Sequence, residues 1–354
     1  MATREVKLGN LTIGGGAPVA VQTMCDTKTQ DVEKTLAQIR LVTGRGAELV
    51  RLAVPDRTAA LALKAIVPPS PVPLVADIHF DYRLALLAIE SGVAGLRINP
   101  GNIGDPKKIR LVAEAAGKAG VAIRVGVNAG SLDQAMVEKY GHGPEAMVQS
   151  ALGEIALIEE TGFTNLKVSL KASDVTQTVA AVRLFSKVSD LPQHLGVTEA
   201  GDVKAGAVRS AVGLGILLHE GLGDTIRVSL TGPPEEEVDC AWEILRSLDL
   251  RQRGPRFVSC PTCGRCQIDL PALLAEVKNL LGHLKTPLTV AVMGCEVNGP
   301  GEAKMADLGV AGGKARGRLF VKGRPAGSYP TNELARRLAE LTLEMAYLDK
   351  DPTQ

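Results

Sequence analysis

Residues 73–100, PLVADIHFDYRLALLAIESGVAGLRINP, contain two short apolar runs separated by a helical segment. The runs are PLVADI (73–78) and GLRINP (95–100), and apolar residues recur at helical spacing in DYRLALLAIESG between them. Because both runs are almost continuously apolar, they are typical of strands buried on both faces of a parallel sheet. The stretch therefore predicts one strand–helix–strand unit.

The same alternation extends in both directions along the chain. Six further β-branched runs are VAVQT (19–23), ELVRLAV (48–54), AIRVGVN (122–128), NLKVSLK (165–171), QHLGVTE (193–199) and DTIRVSL (224–230). Eight strand–helix units in about 220 residues match a closed TIM (β/α)8 barrel better than a doubly wound open sheet. We therefore predict an α/β protein with a TIM barrel, and a short hairpin before residue 17 at the bottom of this barrel.

The pattern changes after residue 232. RQRGPRFVSCPTCGRC introduces a group of cysteines, and the remaining helices and strands are predicted in LPALLAEVKNLLGHL, TVAVMGC, RLFVKG and TNELARRLAELTLEMA. This order indicates a second, smaller α/β domain. We predict a substrate-binding barrel domain over residues 1–250 and a C-terminal domain over residues 251–354.

The composition limits the possible functions. The chain has 354 residues, a formal net charge of +1 and only 3% aromatic residues, which argues against a nucleic-acid-binding protein. It contains no apolar stretch long enough for a membrane span, and its N-terminus lacks the apolar region of a signal peptide. We therefore expect a cytoplasmic protein, in which the six cysteines are ligands or free thiols rather than disulfides.

Basic residues recur where the predicted strands end. In a TIM barrel the carboxyl ends of all strands meet at one mouth, where the chemistry takes place. Buried like charges are costly unless an anion joins them, and guanidinium groups suit phosphate oxygens. The sequence therefore predicts a diphosphate-binding mouth that contains Arg51, Arg97, Arg124, Lys171 and Arg227. Its polar neighbours are Gln22, His79, Asn99, Asn128 and Ser229.

Acidic residues are scarce at the same strand ends. Asp77 and Glu199 are the two carboxylates found there, and single arginines such as Arg51 or Arg97 could pair with them instead of with a ligand. We expect Glu199 to be the general acid, because it should lie near several cations. Lys171 leaves an alternative open, since it could form a Schiff base in a redox-inactive lyase or aldolase with a structural zinc domain.

Four cysteines near the C-terminus have the spacing of a metal centre. Cys260, Cys263 and Cys266 form a C-x2-C-x2-C run, and Cys295 follows 29 residues later. Two thiolates at C-x2-C spacing reach one metal, and the longer run is similar to the opening of bacterial ferredoxin motifs. A zinc ribbon would have a second C-x2-C pair, so the spacing favours an iron–sulfur cluster. Glu302 could provide an oxygen ligand or simply favour a helix N-terminus.

Eight motifs in order resemble one family over nearly the whole chain. They are VADIHFDYRLAL, LRINPGNIG, IRVGVNAGSL, KVSLKASDV, LGVTEAG, DTIRVSL, SCPTCGRC and CEVNGPGEA. Together they resemble the bacterial form of the 4-hydroxy-3-methylbut-2-enyl diphosphate synthase family, which acts in the methylerythritol phosphate route to isoprenoids.

The resemblance implies an activity, a cofactor and partners. The family reduces 2-C-methyl-D-erythritol 2,4-cyclodiphosphate by two electrons, with ring opening and loss of water, to (E)-4-hydroxy-3-methylbut-2-enyl diphosphate. A 4Fe–4S cluster delivers the electrons, which come from reduced flavodoxin or ferredoxin. The family is homodimeric, and the cluster domain of one chain caps the barrel of the other.

The resemblance also implies site residues. Substrate-binding residues fall on Arg51, His79, Arg97, Arg124, Asn128, Lys171, Arg227 and Ser229, and catalytic carboxylates on Asp77, Glu199 and Glu302. The cluster ligands fall on Cys260, Cys263, Cys295 and Glu302. Cys266 departs from the family, in which many members have another residue at this position, so we expect Glu302 rather than Cys266 to be the fourth ligand.

Overall fold

The computed structural model describes residues 3–99, 103–132 and 134–348. The chain divides into two compact units, of which the first ends at Arg251 and the second begins at Gln252.

Parallel strands form the centre of the first unit. In the described part of the chain, one sheet has eight strands in the order β8-β7-β6-β5-β4-β3-β10-β9. Their bounds are β3 Ala20–Met24, β4 Leu49–Ala53, β5 Leu74–Asp77, β6 Gly95–Ile98, β7 Ala122–Asn128, β8 Leu166–Lys171, β9 His194–Leu195 and β10 Thr225–Ile226. A parallel bridge between Val168 and Gln193 joins β8 to the start of β9 and closes the ring. The predicted TIM barrel is confirmed; Pro100, in the run 95–100, lies outside the described residues.

Helices follow the strands and cover the sheet. They are α1 Val32–Arg45, α2 Arg57–Ile66, α3 Tyr82–Glu90, α4 Pro106–Ala119, α5 Gln134–Tyr140, α6 Pro144–Glu159, α7 Val175–Val188, α8 Val203–His219 and α9 Pro234–Ser247. Six of these helices begin with an aspartate whose side chain accepts a backbone N–H, namely Asp31, Asp56, Asp81, Asp105, Asp174 and Asp202. Each aspartate satisfies an otherwise unpaired donor, so the turn from strand to helix is defined locally by the sequence. Within residues 3–99, 103–132 and 134–348, no helix is both long and apolar enough to cross a membrane.

A hairpin closes the amino-terminal end of the barrel. Strands β1 (Val6–Leu8) and β2 (Leu11–Ile13) pair antiparallel. Val6, Leu8 and Ile13 are fully buried in a cluster with residues from the first halves of the barrel strands, among them Leu49 and Val75. Apolar side chains thus fill the bottom of the barrel as predicted, which leaves the polar side chains towards the carboxyl ends of the strands.

The second unit is a five-stranded sheet with helices. Strands β11 (Pro255–Ser259), β12 (Leu288–Met293) and β13 (Leu308–Ala311) are parallel, while β14 (Arg316–Val321) and β15 (Arg324–Pro330) add antiparallel pairs. The helices are α10 Leu270–Leu281, α11 Gly299–Met305 and α12 Leu334–Leu348. The sequence reading missed β13 and β15, because one is only four residues long and the other contains two prolines and a glycine.

Candidate active site

Alternation along the strands points the charged residues into the barrel. On β8, Leu166, Val168 and Leu170 lie in the core between sheet and helices, so the intervening residues, Lys167 and Lys171 among them, face the interior. Glycines make room for the long side chains. A Cβ at Gly196 would lie 2.6 Å from Lys171 Nζ, and one at Gly126 would lie 2.8 Å from Arg97 Nε. The interior of the mouth is therefore shaped around these cations.

Asp77 binds two of the arginines. Its Oδ1 lies 3.3 Å from Arg97 Nη1, and its Oδ2 lies 3.3 Å from Arg51 Nη2. His79 Nε2 lies 3.3 Å from the same Oδ2, and Arg97 Nη1 lies 3.1 Å from the His79 ring nitrogens. Arg51 Nε also contacts the sulfur of Met24 at 3.1 Å. One carboxylate thus orients two guanidinium groups from neighbouring strands.

The ionisation of this network follows from its charges. Burial opposes ionisation of Asp77, but the hydrogen bond with His79 and the charges of the two arginines outweigh burial and hold the pKa of this carboxyl well below its usual range. Burial above all, followed by the neighbouring guanidinium charges, lowers the pKa of Arg51 to about 10 despite the attraction of Asp77. The carboxylate remains ionised at neutral pH and cannot donate a proton there.

Arg227 has a carboxylate partner that the sequence analysis missed. Its Nε and Nη2 lie 3.2 and 3.0 Å from the two oxygens of Glu237. Glu237 also accepts hydrogen bonds from Thr23 Oγ1 at 2.8 Å and Leu230 N at 3.2 Å. The expectation that Asp77 and Glu199 are the two carboxylates at the mouth was therefore wrong. Glu237 lies on α9 rather than at a strand end, and it is the buried member of a run of three glutamates, which was its only sequence signal.

Two other cations, Arg124 and Lys171, have no counterion among the described residues. Arg124 is 2% exposed, and its Nε and Nη1 have no hydrogen-bond partner among the described residues. The Lys171 ammonium, on a side chain that is 7% exposed, likewise forms no hydrogen bond or ion pair in this part of the chain. Burial first, and then the neighbouring cations, lower the pKa of both groups well below the ordinary values. Buried donors of this kind indicate an anionic ligand.

The other predicted residues differ in burial and in hydrogen bonding. Gln22 is buried, and both atoms of its amide have no partner within the described ranges. Asn128 and Ser229 are half-buried at or just after the ends of β7 and β10, while His79 is exposed. Glu199 lies in the loop after β9, is exposed and forms no ion pair with any described residue. Its backbone has a φ of 54°, which is unusual for a non-glycine residue.

The second unit brings the cysteines together at the ends of two adjacent strands. Cys260 follows β11 and Cys295 follows β12, and these strands are parallel neighbours. Gly294 N–H donates to Cys260 Sγ at 3.4 Å, and a Cβ on Gly294 would lie 2.5 Å from Cys266 Sγ. Cys260 and Cys266 thus lie against the turn at Gly294, which is adjacent in sequence to Cys295. The predicted grouping of Cys260, Cys263, Cys295 and Glu302 stays a prediction.

The chemistry of these donors fits an iron–sulfur cluster. Backbone N–H groups, that of Asn298 foremost, lower the pKa of the Cys295 thiol, and hydrogen bonds from Arg265 lower the pKa of Cys263. A thiolate is the form that binds iron, and N–H groups directed at cluster sulfurs tune their potential. Glu302 is exposed in the first turn of α11. No three Cys, His, Asp or Glu side chains of the described ranges lie close enough to share a single metal ion.

Removal of the Asp77 charge should destabilise the barrel. We expect Asp77→Asn to lower the free energy of unfolding at pH 7 by about 3–5 kcal/mol, because it removes the carboxylate that forms ion pairs with both Arg51 and Arg97. Urea denaturation measures the change. Asp190→Asn, which breaks an exposed pair with Arg4, is the control and should cost about 1 kcal/mol or less.

The difference in unfolding free energy between the wild type and Asp77→Asn should depend on pH. The folded-state pKa of Asp77 is depressed, so its contribution is present above the unfolded pKa of about 4 and is lost as pH falls below that value. The difference in unfolding free energy between the wild type and Asp77→Asn should therefore become smaller from pH 4 to pH 3. A gap that stays constant over this range would contradict the assignment.

Comparison with solved structures shows the fold of the first unit. A dihydropteroate synthase from Stenotrophomonas maltophilia matches with a TM-score of 0.53 at 12% identity, over 70% of this chain and 97% of that chain. A dihydropteroate synthase from Yersinia pestis matches with a TM-score of 0.50 at 13% identity, over 69% and 97% of the two chains. At these identities the likeness concerns the barrel alone.

Comparison with family models and curated proteins extends over both units. Residues 3–242 match the GcpE TIM-barrel domain, and residues 256–344 match the GcpE protein C-terminal domain. A protein of Lawsonia intracellularis is 57% identical over 323 residues, which are 91% of this chain and 90% of that protein. One of Geobacter sulfurreducens is 54% identical over 337 residues, or 95% and 96%. Both are named 4-hydroxy-3-methylbut-2-en-1-yl diphosphate synthase (flavodoxin). The resemblance inferred from the sequence motifs is confirmed, and the chain belongs to the GcpE family.

Proposed function

We propose that this chain reduces 2-C-methyl-D-erythritol 2,4-cyclodiphosphate to (E)-4-hydroxy-3-methylbut-2-enyl diphosphate. Two electrons and two protons are consumed, the cyclic diphosphate opens, and one hydroxyl leaves as water. The observation that carries the proposal is Arg124, a buried guanidinium with two N–H-bearing nitrogens that lack a partner among the described residues. The relatives whose names state this product share more than half of their aligned residues with this chain.

The basic residues have two different parts in binding. Asp77 and Glu237 hold Arg51, Arg97 and Arg227 in place, so the free edges of these guanidinium groups are preorganised for phosphate oxygens. Arg124 and Lys171 have no carboxylate partner within the described ranges and are the candidates for the closest contacts with the diphosphate. A bound diphosphate would supply the counter-charge that the barrel interior lacks.

The polar residues at the mouth would orient the rest of the substrate. His79, Asn128 and Ser229 offer donors and acceptors for hydroxyl groups and phosphate oxygens. Glu199 is the candidate general acid, because it is a carboxyl group at the rim that is free of ion pairs with described residues. Its positive φ of 54° supports this role, since strained backbone conformations are concentrated at functional sites. Asp77 positions the arginines.

Cys260, Cys263, Cys295 and Glu302 would hold a 4Fe–4S cluster, which supplies electrons one at a time when bound. Two observations on this chain support the assignment: the amide-stabilised thiol of Cys295 and the position of Cys260 at the end of an adjacent parallel strand. Glu302 provides an oxygen donor of harder character than the thiolates. We propose reduced flavodoxin as the electron donor, as the names of the relatives state, with ferredoxin as the alternative.

We also propose a homodimer in which the C-terminal domain of one chain covers the barrel of its partner. The support is physical. The cations of the mouth act more strongly on a bound anion when water is excluded, and a second domain would provide that cover.

The lyase or aldolase alternative is not favoured by the family to which the chain belongs. Lys171 is then an anion-binding residue rather than a Schiff-base lysine.

The activity tests the proposal directly. Protein purified without oxygen should convert the cyclic diphosphate when reduced flavodoxin is supplied, with product measured by mass spectrometry. Arg124→Met should lower kcat/KM by about 100-fold or more, because it removes donors aimed at the developing charge. Arg110→Met, which alters an exposed arginine on α4, should retain the activity. Full turnover by Arg124→Met would refute the diphosphate site.

Cluster content tests the ligand assignment. Anaerobically purified wild type should contain about four iron and four sulfide ions per chain. Glu302→Ala should lose activity while three thiolates retain most of the sulfide and the barrel stays folded by circular dichroism. Glu296→Ala removes an exposed carboxylate next to Cys295 and serves as the control. An active Glu302→Ala variant would rule out the oxygen ligand, and one zinc without sulfide would rule out the redox mechanism.

A mixing experiment tests the dimer. Glu199→Gln and Glu302→Ala should each be inactive, but together they should recover about a quarter of wild-type activity. Random exchange makes half of the dimers mixed, and each mixed dimer has one of two sites intact. If each chain completes its own site, the mixture will remain inactive.

A further inference from the structure

Lys167 is a buried cation that the proposed substrate contacts do not use. It lies on β8 four residues before Lys171 and is 2% exposed. Its Nζ has no hydrogen-bond partner in the described ranges. Across the sheet, its Cα partner is Arg124 on β7, which is the residue that carries the diphosphate proposal. A lysine without a counterion among the described residues thus lies beside Arg124 on the neighbouring strand.

The groups around Lys167 leave its charge uncompensated. Arg124 and Lys171 are both basic, and His194 on β9 bonds Thr225 Oγ1 through Nδ1 at 2.8 Å, while its Nε2 has no partner among the described residues. The nearest acidic influence is Asp224, just before β10.

Asp224 forms its hydrogen bonds with other residues. It accepts hydrogen bonds from Thr3 Oγ1 at 2.6 Å and Gln193 N at 2.8 Å, and it forms no ion pair with Lys167. From β3, the neutral Gln22 faces the same interior. None of these groups provides the counter-charge that a buried ammonium needs.

Burial and then the charge of Arg124 lower the pKa of Lys167 to about 7, against the attraction of Asp224. His194 is no competing proton acceptor, because burial and the surrounding cations lower its pKa well below the ordinary value. An anion on Arg124 would cancel the nearest positive charge, and the ammonium form of Lys167 would become favourable.

We propose that Lys167 takes up a proton from solvent when a diphosphate binds to Arg124, and thereby adds a positive charge next to Arg124. Lys167 acts through Arg124 and is a positioning residue. The proposal rests on the diphosphate site proposed above. Its consequence is that diphosphate affinity falls as pH rises above 7, because a proton must then be taken from solvent for binding.

Calorimetry of inorganic pyrophosphate binding to the full-length, anaerobically purified protein tests this. Titrations at pH 8 in buffers of different ionisation enthalpy report the protons taken up. Lys167→Met should take up fewer protons than the wild type, by about 0.9 for a group with a pKa near 7. Protons that belong to pyrophosphate or Lys171 are common to both proteins and cancel. Lys187→Met, on the exposed side of α7, removes the same charge and should behave as the wild type.

The possible outcomes separate the two proposals. Equal proton uptake by Lys167→Met and the wild type would overturn the role of Lys167 and leave the diphosphate site intact. Failure of the wild type to bind pyrophosphate would overturn both. Between pH 8 and pH 9, a loss of affinity in the wild type that is about tenfold larger than the loss in Lys167→Met would support the role of Lys167, because one extra proton is taken up on binding.

Thermal melting without ligand gives an independent readout. Because the folded-state pKa of Lys167 is depressed, the unfolded chain binds more protons between about pH 7 and pH 10, and wild-type stability rises with pH through this window. Lys167→Met lacks this effect, so it should melt above the wild type at pH 7 and the difference should shrink towards pH 10. A difference independent of pH would indicate a purely structural lysine and overturn the proposal.

Discussion

The excess of positive charge inside the barrel is the constraint on which the rest of this structure depends. Among the described residues, Asp77 and Glu237 are the buried carboxylates that form ion pairs with the basic side chains of the interior. The basic side chains of the interior, paired and unpaired together, are Arg51, Arg97, Arg124, Lys167, Lys171 and Arg227. Gathering them out of water is costly. The aliphatic core between sheet and helices and the apolar hairpin at the bottom of the barrel stabilise the fold and offset this cost.

The two carboxylates do more than reduce the charge. Asp77 binds Arg51 and Arg97, and Glu237 binds Arg227, so the positions of these guanidinium groups are set before any ligand arrives. Glycines complete the arrangement, because Gly126 and Gly196 leave the space that Arg97 and Lys171 occupy. Arginines held by a carboxylate thus occur side by side with Arg124, which has no counterion in the part of the chain that the structure describes.

The two units follow the same topological rule. In the barrel, the functional side chains lie where parallel strands end, and in the second unit Cys260 and Cys295 also follow neighbouring parallel strands. Chain segments that leave parallel strands meet at one edge, which lets residues distant in sequence converge. The rule explains how the proposed anion site and the proposed cluster site could both form in one chain at the same type of sheet edge.

The sequence by itself determined the barrel, its hairpin and the cysteine turn, because these depend on local patterns. Strands buried on both faces are continuous apolar runs, and cysteine spacing is readable without a fold. Only the tertiary structure decided the partners of the charges. Glu237 reaches Arg227 from a helix, and it also binds Thr23, which is 214 residues away. Strand register places Lys167 against Arg124, and Lys167 has no counterion among the described residues. Such pairings depend on register and helix packing, which bring together residues that no local pattern relates.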